Sequence, residues 1–274
     1  MPKAKAAKSG NETFEIVKTI FWALVIALII RTLLFQPYTI PSASEEPNLY
    51  QGDYIVVSKW SYGYSRHSIL FSPPLFKGRV MFTPPKRGDV IVFKLPRDGH
   101  TDYIKRLVGL PGDSVQVINR IIYVNGKPMP QKPAGVVTTN DHHFAETVQL
   151  MRETNPEGRS YLIQAHRDPE PQDNTALYHV PPHCYFMMGD NRENSDDSRF
   201  DPGIAADDPK LGGCGWDSQT DGKVGDSAGV GFVPEDNLVG RARIVILSWQ
   251  ESASFFKPWT WIDLRWNRFL RWIH

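Results

Sequence analysis

Two serines in this sequence have the types and spacing of residues that could do chemistry. Ser42 and Ser44 flank Ala43 within the segment IPSASEEPNL, residues 40–49. A small-x-small triplet is typical of a signal-peptide cleavage site, and the two prolines of the segment also suit a linker. The third interpretation is the nucleophile loop of an enzyme that lies against a membrane, since a serine hydroxyl attacks once a neighbouring base has removed its proton.

Two later segments carry the other candidate residues. Lys105 ends the β-prone run Tyr103-Ile104-Lys105 and is followed by a Gly-Leu-Pro-Gly-Asp turn. Further along, the apolar run YFMM leads into the polar loop GDNRENSDDSRFD, residues 189–201. Taken singly, a lysine in a strand is usually solvated and a Gly-Asp-Asn-Arg segment is usually a turn. The elements that position these segments decide whether they can act together.

Most of the chain is predicted to be β-structure, because short apolar runs recur between Gly, Pro and Asp residues. These runs, rich in Val, Ile, Phe and Tyr, read DYIVVSKW, GDVIVFKL, DSVQVINRIIYVNG and RARIVILSW. Asn125-Gly126 adds a hairpin signal. We therefore expect a mainly β fold, with an antiparallel sheet formed by residues 37–126 and 179–250.

Two stretches interrupt that pattern. Residues 127–178 are predicted to be an inserted polar subdomain, and the Gly- and Asp-rich residues 201–228 a loop insertion. Three aspartates of this loop suggest calcium, but their spacing lacks the alternating acids and terminal glutamate of an EF-hand, so a solvated surface loop is favoured. They are Asp217, Asp221 and Asp226.

One transmembrane helix is predicted to precede the β domain, at residues 16–36. At ~1.5 Å per residue, the apolar run Ile16–Phe35 just crosses a hydrocarbon core of roughly 30 Å. Lysines within residues 1–15 favour a cytoplasmic N-terminus, which places the rest of the chain outside the cytoplasm. A cleaved secretory signal is the alternative, although the run exceeds the usual signal core of about 7–15 residues.

Composition adds constraints on partners and on the C-terminal region. A balance of 31 basic and 30 acidic residues gives no support to a nucleic-acid partner. Cys184 and Cys214 could form one disulfide or remain free thiols. Residues 251–274 combine tryptophans with several arginines, so we expect this tail to lie on the membrane interface. The arginines are Arg265, Arg268 and Arg271.

Several segments, in one order along the chain, resemble the bacterial type I signal peptidases. They are IPSASEEPNL, RGDVIVFKLP, DYIKRLVGLPGD, MMGDNRENSDDSR and GFVPEDNLVGRA, and the apolar anchor precedes them as in that family. Those enzymes are membrane-anchored Ser-Lys endopeptidases that remove signal peptides from exported proteins. The resemblance leaves the polar insertions and the tail unmatched, and it implies no metal and no cofactor.

The resemblance implies a role for each candidate residue. Ser44 is expected to be the nucleophile and Lys105 its general base, while the Ser42 hydroxyl and the Ser44 backbone N–H form the oxyanion hole. Ser195 is expected to hydrogen-bond Lys105, beside Tyr103. Further support is expected from Gly189, through close backbone approach, and from an ion pair of Asp197 with Arg199.

A lysine can act as this base only if its pKa falls. From ~10.4, a drop of roughly three units, or about 4 kcal/mol, is needed at neutral pH. Burial among apolar neighbours such as Ile104, Leu107 and Val108 would supply it.

The substrate pockets are expected to be shallow and apolar, because signal peptides end in a small-x-small pattern. By resemblance, the pocket next to the scissile bond is lined by Ile40, Pro41, Leu49 and Ile104. The pocket two residues further upstream is lined by Tyr38, Ile55 and Val92. An extended substrate is expected to pair with the backbone around Ile40 and around Asp102-Tyr103.

Glu45 and Asn48 depart from the family's pattern, which has an apolar residue after the nucleophile and a small hydroxyl residue after the following proline. A carboxylate beside the nucleophile would raise the pKa of Lys105. We therefore expect that Glu45 points to solvent or that the enzyme works best at higher pH; the remaining reading is a degenerate, inactive relative.

These observations predict a membrane-bound serine endopeptidase that cuts exported preproteins after Ala-x-Ala through an acyl-enzyme. Its expected partners are preproteins, the lipid bilayer and the export translocon. Its expected place is the bacterial inner membrane, with the catalytic domain on the periplasmic side. The alternatives are a membrane-tethered, non-catalytic β domain that binds peptides or envelope partners, and a secreted protein that loses its first forty-odd residues.

Overall fold

The computed structural model describes residues 9–141, 144–165, 170–216, 229–250, 259–260 and 263–274. Helix α1 (Ser9–Ile29) continues into a π-helical turn (Ile30–Leu34). Within them, Glu12–Leu34 is long and apolar enough to cross a membrane, and none of it is buried against the rest of the protein. The predicted fold class, mainly antiparallel β with one N-terminal apolar helix, is confirmed.

Fifteen strands occur in the described residues. In chain order they are β1 (Phe35–Thr39), β2 (Asp53–Ser58), β3 (Val90–Lys94), β4 (Asp102–Gly109), β5 (Ser114–Ile118), β6 (Ile121–Val124), β7 (Lys127–Pro128), β8 (Gln131–Asp141), β9 (Phe144–Thr154), β10 (Ser160–Ala165), β11 (Tyr178–His179), β12 (Cys184–Met188), β13 (Val233–Pro234), β14 (Leu238–Ser248) and β15 (Arg271–Trp272).

The main sheet has the order β1-β2-β14-β3-β4-β12-β13, with β15 added to β14. Its pairings are antiparallel, and the long strand β14 pairs with both β2 and β3. Two smaller sheets have the orders β10-β9-β8 and β11-β5-β6-β7. Residues buried on alternate positions of β2 and β5 give these strands one face on the core, as the period of two requires.

One stretch of the main sheet keeps an unpaired edge. Strand β3 pairs with β4 from Asp102 to Arg106, whereas β12 pairs with β4 only from Arg106 to Gly109. Within the described residues, the backbone of residues 102–105 therefore has a strand partner on one side only. An extended peptide can add to such an edge through main-chain hydrogen bonds.

The region predicted to be a polar insertion contributes to the core. Tyr161 and Ile163 on β10, and Met129 before β8, pack in one cluster with Phe186 of β12. Burial of these apolar side chains holds the β8–β10 sheet against the main sheet, so residues 127–178 are only partly a polar surface element. Cys184 and Cys214, left open by the sequence, form a disulfide.

The tail, predicted to lie on the membrane interface, also contacts the β domain. Arg268 is buried and forms an ion pair with Asp53, because the chain folds back to add β15 to β14. Trp266 and Trp272 remain exposed, and their predicted place on a membrane stays a prediction. Trp261 and the three aspartates of the suggested calcium loop lie outside the described residues.

Candidate active site

The loop between β1 and β2 carries the two serines. Its base is closed by hydrogen bonds from Ile40 N to Asp53 O (2.9 Å) and from Gly52 N to Ile40 O (3.0 Å). A tight turn follows Ser44, in which Leu49 N donates to Glu45 O at 2.9 Å. Ser44 is 7% exposed, and its hydroxyl lies 3.4 Å from that of Ser42. The turn thus holds both hydroxyls at one surface, next to each other.

Lys105 faces the same cleft from β4. It is opposite Ile91 of β3, and its side chain is 3% exposed, with Nζ 6.0 Å from the centroid of the Tyr103 ring. Burial lowers the pKa of Lys105, while the carboxylates of Glu45 and Asp197 oppose that shift. The direction is the one that a lysine base needs.

Ser42, Ser44, Lys105 and Ser195 line one cavity of about 630 Å³. Ser44 and Lys105 both belong to the described part of the chain, and no hydrogen bond joins their side chains. Hydrogen bonds between catalytic groups are often long before substrate binds.

The polar loop after β12 contacts the backbone of Ser44. Asn191 N donates to Ser44 O at 3.1 Å. A Cβ on Gly189 would lie 2.5 Å from Ser44 O and 2.3 Å from Ser195 Oγ. Any side chain at position 189 would therefore push the two serines away from their places.

Asp197 organises this loop from a fully buried position. Its carboxylate forms a bidentate ion pair with Arg199, with distances of 2.9 Å to both Nε and Nη2. The same carboxylate accepts a hydrogen bond from Gly189 N at 3.1 Å. Burial raises the pKa of Asp197, but the Arg199 guanidinium and its hydrogen bonds outweigh burial and hold that pKa below its usual value.

Ser195 differs from its expected contact. The resemblance implied a hydrogen bond to Lys105, whereas here the Ser195 hydroxyl donates to Asp197 Oδ2 at 3.1 Å. The Asp197 carboxylate is a strong acceptor within reach of the Ser195 hydroxyl, whose oxygen can still accept a hydrogen bond from another donor. Ser195 nevertheless lines the cavity beside Lys105.

Glu45 does not point to solvent, so the first of the expected alternatives was wrong, and the higher pH optimum and the inactive relative stay predictions. The turn after Ser44 directs it inward, where it is fully buried and its two oxygens have no hydrogen bond among the described residues. Burial raises the pKa of Glu45 well above 4.5, Asp190 raises it further, and the cations of Lys105 and Arg106 act in the opposite direction.

Asn48 is a structural bridge that the sequence did not predict. Its Nδ2 donates to Leu162 O and to Asp190 Oδ2, both at 2.7 Å. Asp190 also forms a fully buried ion pair with Arg106, at 2.6 and 2.7 Å. The only sequence signal for Asn48 was its departure from the family's usual small hydroxyl residue.

Two further ion pairs hold the active-site loops from distant segments. Arg192, in the loop after β12, pairs with Glu153 of β9 at 2.6 Å. Arg268 of the tail pairs with Asp53 and donates to Asn48 O at 2.8 Å. The insertion and the tail therefore brace the site, a role that neither composition suggested.

The expected substrate-pocket residues fall into two groups. Four of them form part of a buried core cluster: Ile40, Leu49, Ile55 and Val92. Tyr38 and Ile104 pack on that cluster and are only partly buried. Pro41, Asp102 and Ile104 line the cavity of Ser44, whereas Tyr38 lines another cavity at the end of the anchor. Substrate side chains would meet the exposed members, with Leu49 and Ile55 beneath them.

No group of three or more His, Cys, Asp or Glu side chains in the described residues could hold a metal ion.

Residues 13–249 match the family "Signal peptidase, peptidase S26". The chain belongs to the signal peptidase family. Its resemblance to type I signal peptidases is thereby confirmed, and the protein is a peptidase.

Two relatives illustrate the match to this family. Signal peptidase I of Rickettsia typhi is 34% identical over 88% of this chain and 84% of its own length. Signal peptidase I of Rickettsia akari is 33% identical over 95% of both chains. A solved signal peptidase I from Enterococcus faecalis is 21% identical, with a TM-score of 0.27, and the match covers 58% of this chain and 97% of its own.

Proposed function

We propose that this peptidase removes signal peptides from exported preproteins, with Ser44 as nucleophile and Lys105 as general base. The observation that carries the proposal is a buried lysine of lowered pKa in the same cavity as Ser44, within a signal peptidase. Serine needs a base to become an effective nucleophile, and Ser-Lys pairs are a known arrangement for this purpose.

The reaction would proceed in two stages. Neutral Lys105 takes the proton of Ser44 Oγ as the oxygen attacks the scissile carbonyl, and the resulting ammonium returns it to the leaving amine. Water then hydrolyses the acyl-enzyme, with Lys105 again as base. The Ser42 hydroxyl and the Ser44 backbone N–H would stabilise each tetrahedral oxyanion, by ~3–4 kcal/mol for a well-aimed donor.

The open edge of β4 supports an extended substrate. A preprotein strand placed beside residues 102–105 can form main-chain hydrogen bonds without regard to its side chains. Beneath the exposed Pro41 and the partly buried Ile104, the core is closed by Leu49 and Ile55, each 0% exposed. Such shallow pockets favour small residues, in keeping with cleavage after Ala-x-Ala.

The proposed location is the bacterial inner membrane, with the β domain on the periplasmic side. The apolar segment Glu12–Leu34 would span the bilayer, and the lysines before it favour a cytoplasmic N-terminus. The Cys184–Cys214 disulfide supports an oxidising compartment for the β domain. Preproteins would reach the site through their own membrane-inserted segment, beside the bilayer and the export translocon.

A cleavage assay tests the proposal directly. The full-length protein in detergent is incubated with a preprotein that carries an Ala-x-Ala site, and the products are identified by mass spectrometry. We expect cleavage after the second alanine, and a rate loss of about a thousandfold or more in Ser44→Ala and in Lys105→Ala. The exposed Ser160→Ala and Lys127→Ala serve as matched controls and should cut normally.

Two results would contradict the proposal. Cleavage by Ser44→Ala at the wild-type rate would remove Ser44 as the nucleophile. A folded wild type without activity from about pH 7 to 10 would favour the non-catalytic, peptide-binding alternative.

A further inference from the structure

A second cavity, of about 660 Å³, lies where the anchor meets the β domain. We call it the anchor cavity; its polar lining includes Arg31, Gln36, Lys59, Arg66, Lys94 and Lys210. The Tyr64 hydroxyl donates to Leu33 O at 2.7 Å, and the rings of Phe35 and Trp60 are 4.5 Å apart. These contacts fix the domain on the end of the anchor. The cavity shares Asp102 with the Ser44 cleft, and the proposed reaction gives the cations of the cavity no role.

The anchor cavity is strongly basic. Five Lys and Arg side chains line it, against two carboxylates, Asp98 and Asp102. Asp102 forms an ion pair with Lys94 at 2.9 Å. The Asp98 carboxylate accepts hydrogen bonds from the Thr101 hydroxyl and from two backbone N–H groups. The remaining four cations have no carboxylate within 4.0 Å in the described part of the chain. They are Arg31, Lys59, Arg66 and Lys210.

The positive charge of the anchor cavity extends below the protein surface, because Lys59 is buried. Its side chain is 3% exposed, and its ammonium donates to Ser68 O at 2.6 Å. Burial lowers the pKa of Lys59 to about 8, the charges of Arg31 and Lys94 act in the same direction, and Asp102 opposes them. At neutral pH the Lys59 ammonium is still mostly protonated, so it is a buried cation that has no carboxylate within 4.0 Å among the described residues. Such a cation is stabilised by an anion placed beside it.

The rim of the anchor cavity is apolar. Leu70 and Phe71 belong to its lining, and Phe71 is 92% exposed. Further along the same segment, Leu75 and Met81 are also largely exposed. Leu70 and Phe71 line the cavity that the end of the apolar anchor also lines, so a membrane there would cover them. The cations then lie at the depth of the lipid headgroups.

We infer that the anchor cavity binds the phosphate of an anionic phospholipid headgroup. The four unmatched cations supply the charge, and the apolar rim accommodates the start of the acyl chains. A soluble phosphate would contact the same cations, but it has no acyl chains to pack against the apolar rim. The inference concerns a site apart from the cleft of Ser44 and does not depend on the proposed reaction.

The test uses the full-length protein in detergent and native mass spectrometry. Dihexanoyl phosphatidylglycerol is titrated against the wild type, and dihexanoyl phosphatidylcholine, glycerol phosphate and inorganic phosphate are titrated in parallel. We expect one phosphatidylglycerol to bind, about tenfold or more tightly than in Arg66→Gln/Lys210→Gln, because two charges near the headgroup are lost. The exposed pair Lys127→Gln/Lys132→Gln is the matched control and should bind like the wild type.

Lys59→Met is a second variant, in which the buried charge is replaced by an apolar side chain of similar length. It should also weaken phosphatidylglycerol binding, and thermal unfolding establishes that each variant is folded. Equal binding by the wild type and the folded Arg66→Gln/Lys210→Gln variant would overturn the site. If inorganic phosphate or glycerol phosphate bound as tightly as phosphatidylglycerol, the lipid would be overturned as its ligand.

Discussion

Glu45 and Lys105 are both buried, and each shifts the pKa of the other. The carboxylate opposes the effect of burial on Lys105, and the ammonium opposes the effect of burial on Glu45. Two groups coupled in this way lose their protons as a pair, so the apparent pKa values belong to both residues. The family's usual apolar residue would leave the lysine to titrate without this partner.

Glu45→Gln should therefore move the rising limb of activity against pH to lower pH. If Lys105 is the base, as proposed, that limb follows loss of its proton, and the substitution removes a negative charge that raises the pKa of Lys105. The measurement is kcat/KM for preprotein cleavage across the pH range. Glu46→Gln changes the neighbouring buried carboxyl and is the control, for which we expect a smaller shift. An unmoved limb in Glu45→Gln would show that its charge does not reach the base.

At the scale of elements, the polar loop that holds Ser195 and Asp197 lies within a closed ring of chain. The disulfide joins Cys184 at the start of β12 to Cys214, thirty positions later, and the loop lies between them. The Asp197–Arg199 pair fixes the loop internally, while the disulfide limits the conformations of its ends in the unfolded chain.

Cys184→Ser/Cys214→Ser should lower the free energy of unfolding by roughly 3–4 kcal/mol, the loop-closure value for a ring of this length. Urea unfolding of the β domain, followed by circular dichroism, measures it. Reduced wild type is the matched control and should show nearly the same loss. An unchanged unfolding midpoint in both samples would mean that the bridge does not contribute to stability.

Local sequence patterns predicted the elements of the site, but they did not predict contacts between residues that are far apart in sequence. Ser44 and Lys105 stand in short motifs whose neighbours in sequence define them, and the strands follow from runs of Val and Ile. The buried Glu45 lies within electrostatic reach of Asp190 and Arg106, which are distant from it in sequence, and Asn48 bonds Leu162, 114 positions away. No periodicity or composition encodes such a pairing, so these residues were visible only as departures from the family.

At the scale of the whole molecule, the apolar segment Glu12–Leu34, the exposed Phe71 and the anchor cavity lie at the end of the protein where the anchor joins the domain. The Ser44 cleft shares Asp102 with the anchor cavity. A bilayer that covers the anchor would therefore lie close to the catalytic cleft, which suits substrates that are themselves held in the membrane.

The full-length protein should stay in the membrane pellet after an alkaline carbonate wash, because the anchor is retained. Trypsin added outside spheroplasts should digest the β domain if it lies on the periplasmic side. Immunoblotting of pellet, supernatant and trypsin-treated cells measures both, with a cytoplasmic protein as the control for leakage. Release by carbonate would support the cleaved-signal alternative, and protection from trypsin in intact spheroplasts would reverse the orientation.

The pairing of Arg268 with Asp53 has a consequence for the order of events during synthesis. Arg268 also donates to Asn48 O, so the turn that carries Ser44 is held by a residue made 220 positions after Asn48. A nascent chain that has emerged without residues 264–274 contains its serine and its lysine but not this support. The hydrogen bond from Arg268 that braces this turn can therefore form only after nearly the whole chain has been synthesised.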